Sequence, residues 1–231
     1  MDIGRAFAFV FDDDEWVKKI LIGGLITLIP FIGNFVLHGY MIEVARRVFY
    51  APNTEEMPAW NDFGSYLARG FFFWFGLFIW ALPFVLIMTI SVLAAIILGV
   101  AINEEALIGV VIFLFYCAFF PVIFFFSIAS MVVIPVLRGR YAIEGRFGAL
   151  FEFKEIIADL RRIGPVPLLI LVGTSMAAGY AGQLGFILCF IGVIFTGFYS
   201  NVVIAHAAGQ TYRLARGLQP PPTPAQTTTG Y

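Results

Sequence analysis

Two histidines in polar surroundings are the side chains of this sequence best suited to bind a metal ion or transfer protons. Each has amide or carboxyl side chains within five residues, close to the spacing of a helical turn. Such groups could together bind a divalent metal or line a polar vestibule. The alternative is that each forms an interfacial or interhelical hydrogen bond; we favour it, because neither HxxxH nor HxxE spacing occurs. The candidate polar site comprises Asn34, His38, Glu43, Asn201, His206 and Gln210.

Four consecutive acidic residues, at positions 12–15, are a second candidate for metal binding. A calcium loop would need alternating ligands, a glycine and a distal glutamate, and this segment lacks that pattern. Acidic side chains instead favour the positive end of a helix dipole, where an aspartate often caps the first turn. We therefore predict that one of the three aspartates caps a helix beginning near Glu15. The next residues are predicted to anchor this helix at a membrane surface and its headgroups: Trp16, Lys18 and Lys19.

Nucleophilic catalysis has little support in the sequence. The serines and threonines of the apolar runs have no base nearby in sequence, and GxSxG, GxGxxG and P-loop motifs are absent. The two cysteines, Cys117 and Cys189, lie in apolar segments and are interpreted as small packing residues. We predict that the protein is not an enzyme and that it uses no cofactor or metal.

The composition indicates an integral membrane protein. Hydrophobic residues make up 61% of the 231 residues and charged residues only 13%, whereas a soluble domain carries about 25% charged residues. Three long stretches, 70–103, 106–137 and 163–212, contain no charged side chain. Each exceeds the roughly 20 residues that a helix needs to cross about 30 Å of hydrocarbon. The net charge of -1, without a dense basic block, excludes a nucleic-acid partner.

The charge-free stretches define the predicted architecture, an all-α membrane protein. Two long central helices form an antiparallel hairpin, bent at Pro83 and Pro121, and two shorter spans follow, separated near Gln183. One domain covers 1–218, and a Pro/Thr-rich tail, 219–231, is expected to be disordered. The predicted membrane segments are a hairpin at 16–48 and spans at 70–102, 106–137, 165–182 and 186–207.

Lysines and arginines, which concentrate in cytoplasmic segments, predict the orientation. If 17–40 crossed the bilayer once, Arg5, Lys18 and Lys19 would lie outside; if this segment turns back near Pro30, all 14 basic residues lie on one side. We favour the re-entrant hairpin, with both termini in the cytoplasm of a multi-pass cell membrane protein. The alternative is five true spans with the N-terminus outside.

The segment 147–162 has the pattern of an amphipathic helix lying in the headgroup plane. The predicted apolar face comprises Phe147, Leu150, Phe151, Ile157 and Leu160. The predicted polar face comprises Glu152, Lys154, Glu155, Asp159 and Arg161.

Four pieces of the sequence resemble the DUF4013 family, an uncharacterised group of prokaryotic membrane proteins. They are "DDDEWVKKILIGGLITLIPFIG", "GYMIEVARRVFY", "MPAWNDFG" and "FYSNVVIAHAAGQTYR", and the resemblance extends from Phe7 to about Leu218. The piece around Trp60 departs slightly, because Met57 stands where leucine is expected. The resemblance implies a multi-spanning prokaryotic membrane protein, and it carries over no catalytic residues because none is established for the family.

We therefore expect a non-catalytic accessory or scaffold component that packs with lipid, with another membrane protein or with a second copy. The small-residue faces of the C-terminal spans, the 27 phenylalanines and the interfacial helix favour this role. The alternative is a small-solute or lipid transporter or channel with a cavity between the central hairpin and the terminal helices. A cavity lined by Asn34, His38, Asn201 and His206 would favour transport, and a bundle packed solidly by phenylalanine would favour the scaffold.

Overall fold

The computed structural model describes residues 1–53, 56–102, 105–188 and 191–218, and within these ranges every regular element is helical. Short 3₁₀ segments occupy Phe147–Phe151 and Leu184–Leu188. The α-helices are α1 (Ile3–Ala8), α2 (Trp16–Thr27), α3 (Ile32–Tyr50), α4 (Phe63–Ile102), α5 (Glu105–Glu144), α6 (Phe153–Ile163), α7 (Pro165–Gln183) and α8 (Ile191–Ala215). The Pro/Thr-rich tail, Cys189 and Glu104 of the predicted central turn lie outside the described residues.

Four of the helical stretches in the described chain are long and apolar enough to cross a membrane: Phe63–Leu98, Phe113–Glu144, Pro165–Ile187 and Ile191–Ala215. The predicted all-helical class is confirmed, and membrane integration follows from composition. Both central helices continue through their internal prolines. α5 also extends beyond the predicted end at residue 137, so Arg138 and Arg140 belong to the helix.

Helix α8 is the centre of the bundle, since it packs against α1, α2, α3, α5, α6 and α7. Small residues allow this close approach. A Cβ on Gly209 would lie 2.6 Å from the carbonyl oxygen of Ala45, so only glycine fits where α8 crosses α3. The last turns of α8 are almost entirely buried, including Tyr212.

Helices α2 and α3 form a hairpin whose turn contains Pro30 and Phe31, the latter with φ 60°. The 12 residues of α2 extend about 18 Å, too short for about 30 Å of hydrocarbon. α3 crosses α4 with backbone almost against backbone, because a Cβ on Gly39 or on Gly70 would overlap a carbonyl oxygen of the opposite helix. These glycines fix how the hairpin is attached to the central helices.

Several basic helix ends lie at the same end of the molecule. Arg216, just beyond α8, forms an ion pair with Glu144 at the end of α5. Tyr212 near the end of α8 faces Phe49 near the end of α3, with ring centroids 5.9 Å apart. Contacts therefore connect the last turns of α3, α5 and α8.

The segment 147–162 differs from the predicted single amphipathic helix. It consists of a 3₁₀ turn and then α6, and the two meet at Glu152. The faces also differ, since Ile156 and Asp159 are buried and Ile157 is 49% exposed. The reason is a tertiary contact, because Arg140 of α5 binds both Glu152 and Asp159 and turns the acidic side chains towards the bundle.

Candidate functional site

The structure divides the six residues of the predicted polar site among three places. Three line one cavity, two hold the N-terminus, and one lies in a cluster of arginines. The less favoured interpretation, in which these groups together form one metal-binding or vestibule site, does not agree with this division. The division arises because side chains along α3 and α8 point to different neighbouring helices.

Asn34, His38 and Asn201 line a cavity of about 230 Å³ between the α2–α3 hairpin and α8. Asn34 and Asn201 are exposed and His38 is partly buried. The amide of Asn201 donates to the carbonyl oxygen of Gly197, 2.9 Å away. Apolar groups complete the wall, with Met41 on α3 and Phe198 on α8 among them. The lining includes no described residue of the central hairpin, which differs from the cavity that the transport alternative expected.

His206 and Gln210 hold the N-terminus against α8. Gln210 Nε2 lies 3.2 Å from His206 Nδ1 and donates to the backbone oxygen of Asp2 at 3.1 Å. The backbone N–H of Asp2 donates to Gln210 Oε1 at 2.7 Å. The ring of Phe9 covers His206, with centroids 4.7 Å apart. The spacing along α8 indicated the pair, but the partner 208 residues away had no sequence signal.

Glu43 lies among three arginines at the junction of α3 and α4. Its carboxylate accepts a hydrogen bond from Arg69 of α4 at 2.7 Å. Arg46 and Arg47, one turn further along α3, are 3.8 and 3.7 Å away. This is a structural ion-pair cluster that ties the two helices together.

The acidic segment before α2 forms a buried contact to the loop at 51–62. Asp13 Oδ2 accepts hydrogen bonds from Lys19 Nζ at 2.7 Å and from the backbone of Met57 at 2.6 Å. Asp13 Oδ1 accepts from the N–H of Glu15 at 2.8 Å, which satisfies one donor before the helix begins at Trp16. The prediction that an aspartate caps α2 is wrong, because the residue at the start of the helix is Glu15 and no side chain caps it.

Lys19 does not reach the headgroups, contrary to the prediction. It is 8% exposed and donates to both Asp13 and the carbonyl oxygen of Met57. In the same contact, Trp60 Nε1 donates to the carbonyl oxygen of Lys19 at 3.0 Å, and its ring stacks on Tyr40 with centroids 4.1 Å apart. All four sequence pieces that carry the family resemblance meet here, since the ring of Phe198 lies 5.6 Å from that of Tyr40 and 5.9 Å from that of Trp60.

Two buried arginines in α5 are the polar groups that the sequence did not single out. Arg140 donates to Asp159 at 2.7 Å, to the carbonyl oxygen of Ala149 at 3.0 Å and to Glu152. The hydrogen bond from Arg140 holds the pKa of Glu152 below its ordinary range. Arg138 donates no hydrogen bond within the described chain, and its Nε and Nη1 atoms are buried. The feature of the sequence that could have indicated these buried arginines is their position directly after an apolar run.

Within the described ranges, no three His, Cys, Asp or Glu side chains are grouped so that they could hold a metal ion. The carboxylates and histidines of the bundle contact neighbouring helices and backbone groups instead. The arrangement thus offers a small polar cavity, several interhelical ion pairs and a buried arginine, Arg138, that has no hydrogen-bond partner among the described residues.

Comparisons with known proteins identify similar sequences and assign no activity. A family model described as "Protein of unknown function (DUF4013)" matches residues 22–191. The chain is 30% identical over 191 residues to "Uncharacterized protein MJ1189" of the archaeon Methanocaldococcus jannaschii. The aligned part covers 82% of this chain and 64% of that relative, so the chain spans just under two thirds of the relative's length. No solved structure matches.

Proposed function

Because the chain belongs to the DUF4013 family of proteins of unknown function, we propose its role from geometry: a non-catalytic accessory or scaffold component that assembles with another membrane protein. The observation that carries this proposal is the long hairpin of α4 and α5. We call its distal part, residues 77–102 and 105–134, the α4–α5 arm.

The α4–α5 arm is not covered by the rest of the chain. Among its residues whose side chains the structure describes, none is buried. Phe113, Phe120 and Phe125 are each at least 66% exposed. Phe84 of α4 and Phe126 of α5 stack on each other with centroids 4.6 Å apart, so the two helices contact each other within the arm.

The α4–α5 arm also belongs to helices longer than a bilayer requires. The candidate span Phe63–Leu98 has 36 residues and the candidate span Pro165–Ile187 has 23, which correspond to about 54 and 34 Å. The hydrocarbon core measures about 30 Å. Lipid alone accommodates an excess of about 20 Å only through strong tilt or bilayer thickening, each of which has a cost. A protein partner packed along the arm removes that mismatch.

The polar groups of the bundle support a non-catalytic role, since their contacts join helices. Asp13 and Lys19 attach the loop at 51–62 to α2, and Gln210 attaches the N-terminus to α8. Glu43 attaches α3 to α4. These contacts position structural elements and leave no activated nucleophile among them. The net charge of -1 supports a partner other than nucleic acid.

Site-specific photo-crosslinking tests the proposed assembly in the native membrane. A photoreactive residue at Phe125 of the arm should give a discrete protein adduct, either a second copy or another membrane protein. Leu169 of α7 is the matched control, because it is equally exposed, at 71% against 69%, and also apolar. Lipid adducts alone at both positions would contradict the proposal.

We propose that both termini are cytoplasmic and that the α2–α3 hairpin is re-entrant. Support comes from the contacts that join the last turns of α3, α5 and α8, since α3 and α8 carry Arg47 and Arg213 there and basic residues concentrate in cytoplasmic segments. In a background with Cys117 and Cys189 replaced by alanine, a cysteine at Arg5 should react with a membrane-impermeant maleimide only after cell lysis. Labelling of intact cells would favour five spans.

A small-solute transporter is the second candidate, and the cavity lined by Asn34, His38 and Asn201 favours it. Its volume of about 230 Å³ is below the roughly 300–1,000 Å³ of typical ligand pockets. Flux through reconstituted vesicles that is lost in His38→Ala would support transport over the scaffold. If the wild type and His38→Ala both show no flux, and the variant still forms the same protein adduct, the result would support the scaffold.

A further inference from the structure

Three polar side chains line the cavity between the α2–α3 hairpin and α8, and most of their hydrogen-bonding capacity is unused. Asn34 and His38 lie one turn apart on α3, and Asn201 lies on α8. Within the described chain, Asn34 and His38 form no hydrogen bond. Asn201 uses its amide nitrogen to donate to the carbonyl oxygen of Gly197 at 2.9 Å, which leaves its amide oxygen free. Two amides and an imidazole therefore face one cavity without satisfied partners.

The position of Asn201 along α8 makes these free groups unfavourable in lipid. Asn201 lies ten residues after Ile191 and 14 before Ala215, or about 15 and 21 Å from the two ends of a candidate membrane span. It is therefore near the middle of the hydrocarbon core, and it is exposed. A polar group at that depth has no water to bind and is costly unless a partner satisfies it. The cavity thus favours a polar occupant.

The polar part of the cavity wall matches hydroxyl groups. Among the described lining residues none is charged, so a charged ligand would find no counter-ion there, and an isolated charge is very costly in surroundings of low dielectric. Amides and a neutral imidazole each offer both donors and acceptors. A hydroxyl group suits them, because it donates one hydrogen bond and accepts others.

The rest of the wall is apolar, with Leu37, Met41 and Phe198 among its side chains. Water fits this part poorly, because a buried water needs about two to four polar partners. A carbon skeleton fits it well. A largely apolar wall with a few convergent polar groups is the usual composition of a small-molecule site.

We propose that this cavity binds an uncharged, hydroxyl-bearing molecule of about the size of glycerol. Asn34, His38 and Asn201 hydrogen-bond its hydroxyl groups, and the apolar wall contacts its carbon skeleton. The volume of about 230 Å³ is below the roughly 300–1,000 Å³ of typical ligand pockets, so it fits a glycerol moiety and not a whole lipid.

The inference names a ligand class for the cavity on which the second candidate function, transport, rests. Binding does not require flux, so a site that binds without transporting would satisfy this inference and contradict transport. The scaffold proposal is tested separately by cross-linking at Phe125, because the described lining of the cavity includes no residue of the α4–α5 arm.

Two sources supply such hydroxyl groups. One is an uncharged lipid with a free hydroxyl, such as a diacylglycerol, whose glycerol moiety enters the cavity while its acyl chains stay in the bilayer. The exposure of Asn34 and Asn201 leaves the cavity open on their side for such a lipid. The other source is a free polyol from the aqueous phase.

Thermal unfolding of the full chain in phosphatidylcholine nanodiscs distinguishes these sources. One arm adds dioleoylglycerol to the bilayer, with its acetylated ester, which has no free hydroxyl, as the control lipid. The other arm adds glycerol to the buffer. A ligand at about ten times its Kd should raise the unfolding temperature by about 3–6 °C.

Each outcome of the two arms decides something. A shift with dioleoylglycerol alone identifies a lipid hydroxyl, a shift with glycerol alone identifies a free polyol, and shifts with both show that the glycerol moiety suffices. An equal shift with the acetylated ester, or no shift in either arm, overturns the proposal.

Two variants on different helices assign the shift to the cavity. His38→Leu and Asn201→Leu each remove a hydrogen-bonding group from the lining, so each should lose at least half of the shift. Without ligand, each should unfold near or above the wild-type temperature, because an apolar side chain replaces an unsatisfied polar one.

Gln183→Leu is the matched control, because it replaces an exposed amide by leucine at the end of α7, outside the described lining of the cavity. It should keep the shift, and it also measures any general stabilisation by glycerol. An undiminished shift in both cavity variants would overturn the proposal.

Binding can also be measured without unfolding. Native mass spectrometry detects retained dioleoylglycerol, and saturation-transfer NMR detects bound glycerol. The wild type and Gln183→Leu should bind the ligand that gave the shift, and His38→Leu should not. If His38→Leu cannot be purified, Asn201→Leu takes its place. Equal binding by the control and the cavity variant would overturn the proposal.

Discussion

Replacing Arg140 by methionine should destabilise the protein strongly. The substitution removes three hydrogen bonds and leaves the Asp159 carboxylate, 1% exposed, with Arg162 3.6 Å away as its remaining cation. Breaking a buried ion pair by removing one partner costs about 3–5 kcal/mol. For a chain of this length each kcal/mol lowers the unfolding temperature by about 2–4 °C, so we expect a decrease of about 6–20 °C.

Arg138→Met is the matched comparison, because it makes the same substitution in the same helix at the same burial. It removes no hydrogen bond and relieves the cost of an unpaired buried charge. The lost cation–π contact with Phe73 is worth about 0.5–2 kcal/mol, or about 1–8 °C, and relief of the unpaired charge offsets this loss, so the unfolding temperature should fall by less than about 8 °C or rise. Far-UV circular dichroism during heating, in a zwitterionic detergent without anionic lipid, measures both variants.

A double substitution separates ion pairing from packing. Arg140→Met combined with Asp159→Leu removes both buried charges. The double variant should recover at least half of the decrease in unfolding temperature that Arg140→Met causes alone, since apolar replacement of a whole buried pair is often neutral. Equal decreases in the unfolding temperature of Arg138→Met and Arg140→Met would refute the prediction that hydrogen bonding distinguishes the two arginines. Burial of the arginine stem, and not its hydrogen bonds, would then decide stability.

Three further predictions concern close packing, pH and the loop at 51–62. Gly70→Ala should lower the free energy of unfolding by about 1–3 kcal/mol or more, because its Cβ would overlap a carbonyl oxygen of α3. The control Gly64→Ala meets no atom within 4 Å and should raise that free energy by up to about 1 kcal/mol. Chemical denaturation measures both. The Arg140 hydrogen bond lowers the pKa of Glu152 from 4.5, so the stability that this ion pair contributes is present above pH 4.5 and is lost as pH falls through the folded pKa. Glu152→Gln should therefore flatten the fall in unfolding temperature below pH 4.5. An unchanged dependence of the unfolding temperature on pH would contradict this. Asp13→Asn should lower the free energy of unfolding by about 3–5 kcal/mol and speed proteolytic cleavage at 51–62. If limited proteolysis cleaves this loop equally fast in the variant and the wild type, the ion pair does not hold the loop.

The helical class and the four long apolar helices could be predicted because hydropathy adds up along each segment. Every residue of 84–98 belongs to an apolar run, so the assignment tolerates errors at single positions. The short α2 was predictable for the same reason, since Pro30 ends its run early. The family resemblance, which was also read from sequence, is confirmed by the match over residues 22–191.

The faces of 147–162 could not be predicted, because helical periodicity does not show which neighbour a carboxylate will contact. Asp159 was placed on the solvent side by its polarity, but Arg140 of α5 binds it inside the bundle. Lys19 was assigned to headgroups by its length, but Asp13 and the backbone of Met57 lie closer. In both cases a charge that looks solvent-exposed in the sequence is buried with a distant partner.

The sequence by itself determined the apolar composition that is compatible with a membrane protein, the helical class and the positions of the long apolar helices, because these depend on sums over many neighbouring residues. Tertiary structure alone decided which polar groups meet. Asn34 and His38 face Asn201 across the cavity, Gln210 binds Asp2, and Arg138 remains unpaired while Arg140 is fully paired. Such contacts join residues up to 208 positions apart, and their geometry depends on how glycine-mediated crossings bring α3, α4 and α8 together.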